Sequence, residues 1–262
     1  MKKAIIIFLL ISLFALGVFG FVFWKKEKSQ ISDPHLLKIK KEGKIVIGTD
    51  ATFPPFEFLN ENGEIVGFDI DLGKEIAKDL KVNAEFKNIP WDELFPALEK
   101  GEIDLILAGV TITLERAEKM DFSKPYFNAG QIIVTKKEKS GLIKSPEDLK
   151  GKTIGVQRNT TGEEKAKELT DPSLVIGFDD YQKAIEALLE DRVEIVLVDF
   201  PTGVESVKKY QNLTLVLEPL TNEFYGAVVK KGDKALLEQI NKTIDRLKEE
   251  GGLGNLEKNW LR

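Results

Sequence analysis

From Lys44 to the end of the chain, short aliphatic runs alternate with stretches whose apolar residues recur every three to four positions, the pattern of an α/β protein. The runs KIVIGT, IDLILAG, GQIIVT, KTIGVQ, LVIGF and VEIVLVD predict strands. Between the first two, DIDLGKEIAKDL sets Ile70, Gly73, Ile76, Ala77 and Leu80 on one helical face, with Asp69 placed to cap it. EFLNENGEIVGF instead alternates on either side of Asn62-Gly63 and predicts a tight hairpin. One plan recurs: ALEKGEIDLILAG (97–109) and ALLEDRVEIVLVD (187–199) match in register, each a helix end, a charged turn and an apolar strand. Ligands gather beyond the carboxyl ends of strands in open α/β sheets, so Gly109 and Asp199 are expected to face one cleft between two lobes.

The N-terminus follows another pattern. Residues 1–24 place Lys2 and Lys3 before an unbroken run of apolar and small residues, expected to be a signal peptide or a membrane anchor that puts the rest outside the cytoplasm. Residues 25–43 read as a linker and a short helix, capped by Ser32-Asp33-Pro34 and ending at Gly43. Composition removes several chemistries. The 262 residues include no cysteine, so disulfides, thiolate nucleophiles and cysteine metal sites are excluded. His35 is the only histidine and reads as a solvated linker residue, which leaves no basis for a histidine-dependent mechanism. A net charge of -5, with no basic cluster beyond the N-terminal region, argues against a nucleic-acid surface.

Candidate chemistry collects at the strand ends. With Thr113 capping the helix LERAEKM, Arg116 falls in its first turn, where the helix dipole disfavours a cation by about 0.3 to 1 kcal/mol. It is either a receptor for an anion or a surface arginine paired with Glu115, Glu118 or Asp121. In GVQRNTTGEE, Thr160 precedes Thr161 and Glu164 at capping-box spacing; this is an ordinary helix start or a second anion site. Asp199 either caps the helix beginning at Pro201 or receives a cationic amine. Phe53, Phe56 and Trp91 are core or aromatic walls, with Phe56 the better fit to core. Arginine with a helix start for a carboxylate, and aspartate for an ammonium, together describe an α-amino acid.

DATFPPFEF, GFDIDL, WDELFPALEKGEIDLILAGVTITLER, MDFSKPYF, LKGKTIGVQRNTTGE, VLVDFP and YGAVVKKGD occur in this order from about Lys44 to the end. In these blocks the chain resembles the family 3 solute-binding proteins, the polar amino-acid-binding proteins of ABC uptake systems. The resemblance implies a two-lobe α/β fold of the type II periplasmic-binding-protein class, with lobe 1 formed by 44–132 and 226–262 and lobe 2 by 133–225. Crossover strands are expected near Gln131 to Thr135 and Glu223 to Ala227, with closure by a hinge. It implies that Arg116, Thr111, the backbone of Gly109, Thr160 and Thr161 meet the ligand's α-carboxylate and that Asp199 takes its α-ammonium. Phe53 and Trp91 match the aromatic walls, and Asp50 and Gln157 match positions facing the ligand side chain. LAGVTIT is similar to glutamine and basic amino-acid binders, and Glu57 is a further acid nearby. The expected protein is a monomeric, non-enzymatic carrier with no cofactor or metal, serving the membrane subunits of a permease. Two alternatives stay open: a cyclohexadienyl dehydratase-like enzyme using Asp50 or Glu57, and a sensor-associated binding protein. Sequons at Asn159, Asn212 and Asn241 read as chance occurrences.

Overall fold

The computed structural model describes residues 33–261, in two units that divide after Gly43. The expected anchor over 1–24 and most of the linker lie outside the described residues. Helix α1 (Pro34–Glu42) forms as its sequence predicts. Asp33 accepts from the amides of His35 and Leu36, Pro34 fills the first turn, and Gly43 ends the helix at φ 68°. His35 is half-buried within this helix rather than part of an open linker. Among the described residues no helix is long and apolar enough to cross a membrane.

From Lys44 onward the chain builds two five-stranded sheets on one plan. In the first, β1 (Lys44–Thr49) runs parallel between β5 (Asn83–Asn88) and β6 (Leu105–Ile106), and β15 (Val228–Lys230) joins antiparallel beside β6 and β7 (Met120–Phe122). In the second, β10 (Ile154–Gln157) runs parallel between β11 (Val175–Phe178) and β12 (Ile195–Asp199), and β9 (Gln131–Lys136) lies antiparallel between β12 and β13 (Leu213–Val216). The matched segments therefore occupy equivalent places. Each brings a helix, α3 (Trp91–Lys100) or α7 (Tyr181–Leu189), into a strand parallel to β1 or β10.

Burial explains the aliphatic runs. Along β9, Ile132 and Val134 pack into one core cluster with Tyr181, Ile185 and Val196, while Ile133 packs into another with Ile154, Val156 and Leu197. A strand covered on both faces has no polar side to show, so its sequence does not alternate. Those same residues were expected to form a crossover. The ribbon between the sheets is instead β8 (Phe127–Ala129) paired with β14 (Glu223–Tyr225), and β9 is a buried member of the second sheet. The chain enters the second sheet through β8 and returns to the first through β14, just as the resemblance places the other crossover.

Two local expectations shift. Helix α2 (Phe68–Leu80) is capped by Gly67, not Asp69. Gly67 has φ 138°, and a Cβ there would lie 2.1 Å from the Phe56 carbonyl oxygen, so the backbone passes too close for a side chain. Asp69 is thereby carried into the interior, fully buried. The hairpin exists, with β3 (Glu57–Leu59) pairing β2 (Thr52–Phe53) and β4 (Ile65–Val66). Its reversal takes residues 60–64, organised by the Asn60 side chain accepting from the amides of Asn62 and Glu64, so Asn62-Gly63 is not a two-residue turn.

Candidate functional site

The first-sheet strands β1 and β6 and the second-sheet strands β10 and β12 end at a common cleft. Every residue predicted for the site lines it. Asp50 and Phe53 follow β1, Trp91 opens α3, Gly109 and Thr111 follow β6, and Arg116 lies in α4 (Leu114–Lys119). From the other sheet, Gln157 ends β10, Thr160 and Thr161 open α6 (Thr161–Leu169), past the short α5 (Lys137–Ser140), and Asp199 ends β12. Glu57, the further acid nearby, lines the cleft too. Gly109 holds φ 54°, a left-handed conformation that favours glycine, and a Cβ there would crowd the Phe53 ring at 3.0 Å. Phe56, fully buried, is core as expected.

Arg116 is not a surface ion-pair partner. Glu115 pairs with Lys119 at 3.1 Å and Asp121 with Lys231 at 3.0 Å. Among the described residues no carboxylate lies within 4.0 Å of its guanidinium, which instead donates to the carbonyls of Thr111 (3.0 Å) and Asn159 (3.3 Å) and stands 5.4 Å from the Trp91 ring centre. Thr113 caps α4 through the Arg116 amide, as predicted. Desolvation lowers the Arg116 pKa, while Glu164, Asp199 and Glu223 pull it back. A guanidinium has five N–H donors, and carbonyls neutralise none of its charge. The guanidinium thus lines the cleft as a cation without a carboxylate partner in direct contact among the described residues.

Helix α6 starts one residue before the expected box: Thr160 is the N-cap and accepts from the Glu163 amide. Thr161 thus stands at N1, and its hydroxyl donates to Glu223 at 2.6 Å. The cause is Asn159, held at φ 58°, a left-handed conformation that asparagine tolerates better than most residues. Asn159 also joins the lobes. Its backbone carbonyl accepts from Trp91 Nε1 (3.1 Å) and Arg116, and its side-chain Nδ2 donates to Asp92 (2.8 Å). Asn159→Gly keeps the backbone conformation but loses the Asp92 bond, so it is expected to weaken ligand binding by roughly fivefold in calorimetry, the worth of one such hydrogen bond. Unchanged affinity would show that Asp92 takes no part in closure.

Helix α8 (Phe200–Lys209) begins directly after Asp199, yet its carboxylate makes no cap bond and accepts instead from Gln131 Nε2 at 2.9 Å. The capping explanation is thereby removed. Asp199 keeps some surface toward the cavity, but protein surrounds it closely enough that desolvation pushes its pKa up to about 8, aided by Glu223 and opposed by the neighbouring Tyr225 hydroxyl and by Arg116. Glu57 is 1% exposed, its Oε2 lacks a hydrogen-bond partner, and burial followed by repulsion from Asp69, Asp50 and Asp199 raises it well above the carboxylate range. Asp50 accepts from Thr52 (3.0 Å) and, across the cleft, from Gln157 (3.3 Å); desolvation raises it as well. Behind these, Asp69 is pushed to about 7 by burial and accepts from the Gly109 amide at 2.9 Å and the Tyr126 hydroxyl at 2.8 Å, bracing the strand end. The sequence reading missed Glu223 and the part played by Asn159. Both act through partners far along the chain, and only the Asn-Thr-Thr turn hinted at the second.

The model of the bacterial extracellular solute-binding proteins, family 3, matches residues 45–262. The chain belongs to this family. Among relatives of this solute-binding protein is the L-cystine-binding protein TcyJ of Escherichia coli (strain K12), 33% identical over 235 residues that cover 89% of this chain and 88% of that one. Its fold is similar to a mutant of ArgBP from T. maritima (TM-score 0.82, 41% identity, 86% of this chain and 98% of that chain). It is also similar to an ancestral arginine-binding protein bound to arginine (TM-score 0.79, 44% identity, 84% and 99%). The two-lobe fold expected from the resemblance is thus the fold of the family.

Proposed function

We propose that this solute-binding protein captures a basic amino acid, arginine foremost, in the cleft and passes it unchanged to an ABC permease at the outer face of the membrane. The observation that carries the reading is the charge balance of the cleft. Arg116 opposes Asp199, and Asp50 and Glu57 add two further carboxyl groups without a second cation among the lining residues. A neutral amino acid would satisfy Arg116 and Asp199 and leave Asp50 uncompensated; a guanidinium or ammonium side chain compensates it and lowers the cost of ionising the buried Glu57. Phe53 and Trp91 then flank its aliphatic stem, Gln157 and Asp50 meet its head, and amides at the start of α6 support the carboxylate. The arginine-binding proteins named above, above 40% identical, support the same ligand. Lobes formed by 44–132 with 226–262 and by 133–225 would close over it, and residues 1–24 would export or anchor the protein.

Titration of the protein by calorimetry with the common amino acids is the test. L-arginine is expected to bind one to one and more tightly than L-glutamine, and at 100 times its dissociation constant to add about 2.7 kcal/mol of stability. Arogenate and prephenate are expected to remain intact on incubation. Tighter binding of a neutral amino acid would overturn the charge reading, and binding of none would overturn the function.

A further inference from the structure

We propose that Glu223 is a positioning residue for ligand recognition: it accepts the hydroxyl protons of Thr111 and Thr161 from opposite lobes and so fixes both hydroxyls as acceptors toward the cleft. This rests on the reading of the cleft as an amino-acid site. Glu223 stands on β14, in the ribbon between the sheets. Its Oε2 accepts from Thr111 Oγ1 at 3.0 Å and Thr161 Oγ1 at 2.6 Å, and its Oε1 accepts from Thr221 Oγ1 at 2.7 Å. Thr221 Oγ1 in turn accepts from the Gln131 amide at 2.9 Å, which fixes the direction of that bond.

A hydroxyl has one proton to give. With that proton committed to Glu223, Thr111 and Thr161 can offer the cleft they line only lone pairs. Lone pairs suit an ammonium and repel a carboxylate. Gln131 Nε2 lies 2.9 Å from Asp199 Oδ1 and 3.5 Å from Thr161 Oγ1, so the same group of side chains orients Asp199. The resemblance implied that Thr111 and Thr161 meet the ligand carboxylate. Proton counting reassigns their hydroxyls to the α-ammonium, and leaves the carboxylate to Arg116 and the backbone amides that open α6. Because Glu223 engages one threonine from each lobe, this acceptor set is complete only when the lobes are together.

The test compares L-arginine with its des-amino analogue 5-guanidinopentanoic acid, measured by competition on the full chain. Glu223→Gln, whose amide can donate and so let the hydroxyls turn, is expected to weaken arginine binding by about 10- to 100-fold and to change the analogue by less than about threefold. Thr161→Val is expected to show the same selective loss, and Thr161→Ser to restore binding; this pair decides the matter if Glu223→Gln fails to fold. Equal losses for both ligands, or no loss, would overturn the proposal while leaving the site reading intact. Failure of the unmodified protein to bind any amino acid would overturn both.

Discussion

Replacing Arg116 by alanine is expected to weaken amino-acid binding by about a thousandfold, because truncating one member of a desolvated charge pair leaves the other buried and unpaired. The magnitude follows from how the arginine is held. It sits in the middle of a six-residue helix, and the nearby acids Glu115 and Asp121 are taken by lysines. Its guanidinium is fixed by the carbonyls of Thr111 and Asn159 and by the Trp91 face, contacts that orient it without neutralising it. On the proposed reading its partner is the ligand's carboxylate, and a planar fork meets a carboxylate with two parallel hydrogen bonds. Arg116→Lys keeps the charge but not the fork, so it is expected to recover only part of the loss. Calorimetry measures both. Without ligand, the alanine variant is expected to unfold at no lower a temperature than the parent, since it relieves an unpaired, partly buried cation. Affinity within about tenfold of the parent would mean that the carboxylate is held elsewhere.

How much of this was legible depended on whether a signal is local. The runs around β1, β9, β10 and β12 could be read because both faces of those strands are covered and only aliphatic side chains fit. The edge strand β5, NAEFKN, escaped notice: its side chains are half-exposed or exposed, so asparagine and lysine are tolerated and the run resembles a loop. Arg116 and Asp199 were readable because a charge at a buried strand's end or in a helix's first turn is anomalous in its own neighbourhood. Glu223 is not anomalous. Its meaning lies in Thr111 and Thr161, 112 and 62 residues away, which only the fold brings together. The one-residue error at α6 had the same origin, since either threonine could cap and the left-handed turn at Asn159 chose Thr160.

Binding is also expected to tighten as pH rises from 6 to 8, by up to about tenfold per unit. Among the protein's own groups Asp199 is pushed up to about 8, with Glu223, Arg116 and Tyr225 around it and Glu57 coupled to it. At pH 6 it is therefore mostly protonated, and a cationic ligand must displace that proton. The α-ammonium and guanidinium of arginine stay charged across this window, so the pH dependence belongs to the protein. Glu57, raised in the same direction, extends the effect upward in pH. The sign for stability is opposite. A carboxyl raised by burial favours the fold below its unfolded pKa, near 4, and that contribution is lost as pH rises through its folded value. The ligand-free protein is thus expected to lose stability from pH 4 to 8 through Asp199, and arginine to reverse the loss by supplying the absent countercharge. Asp199→Asn separates the two effects: it is expected to weaken binding at pH 8 by at least about a hundredfold, to flatten the slope between pH 6 and 8, and to raise the unfolding temperature of the ligand-free protein at pH 8. A slope unchanged in this variant would assign the proton to Glu57 instead.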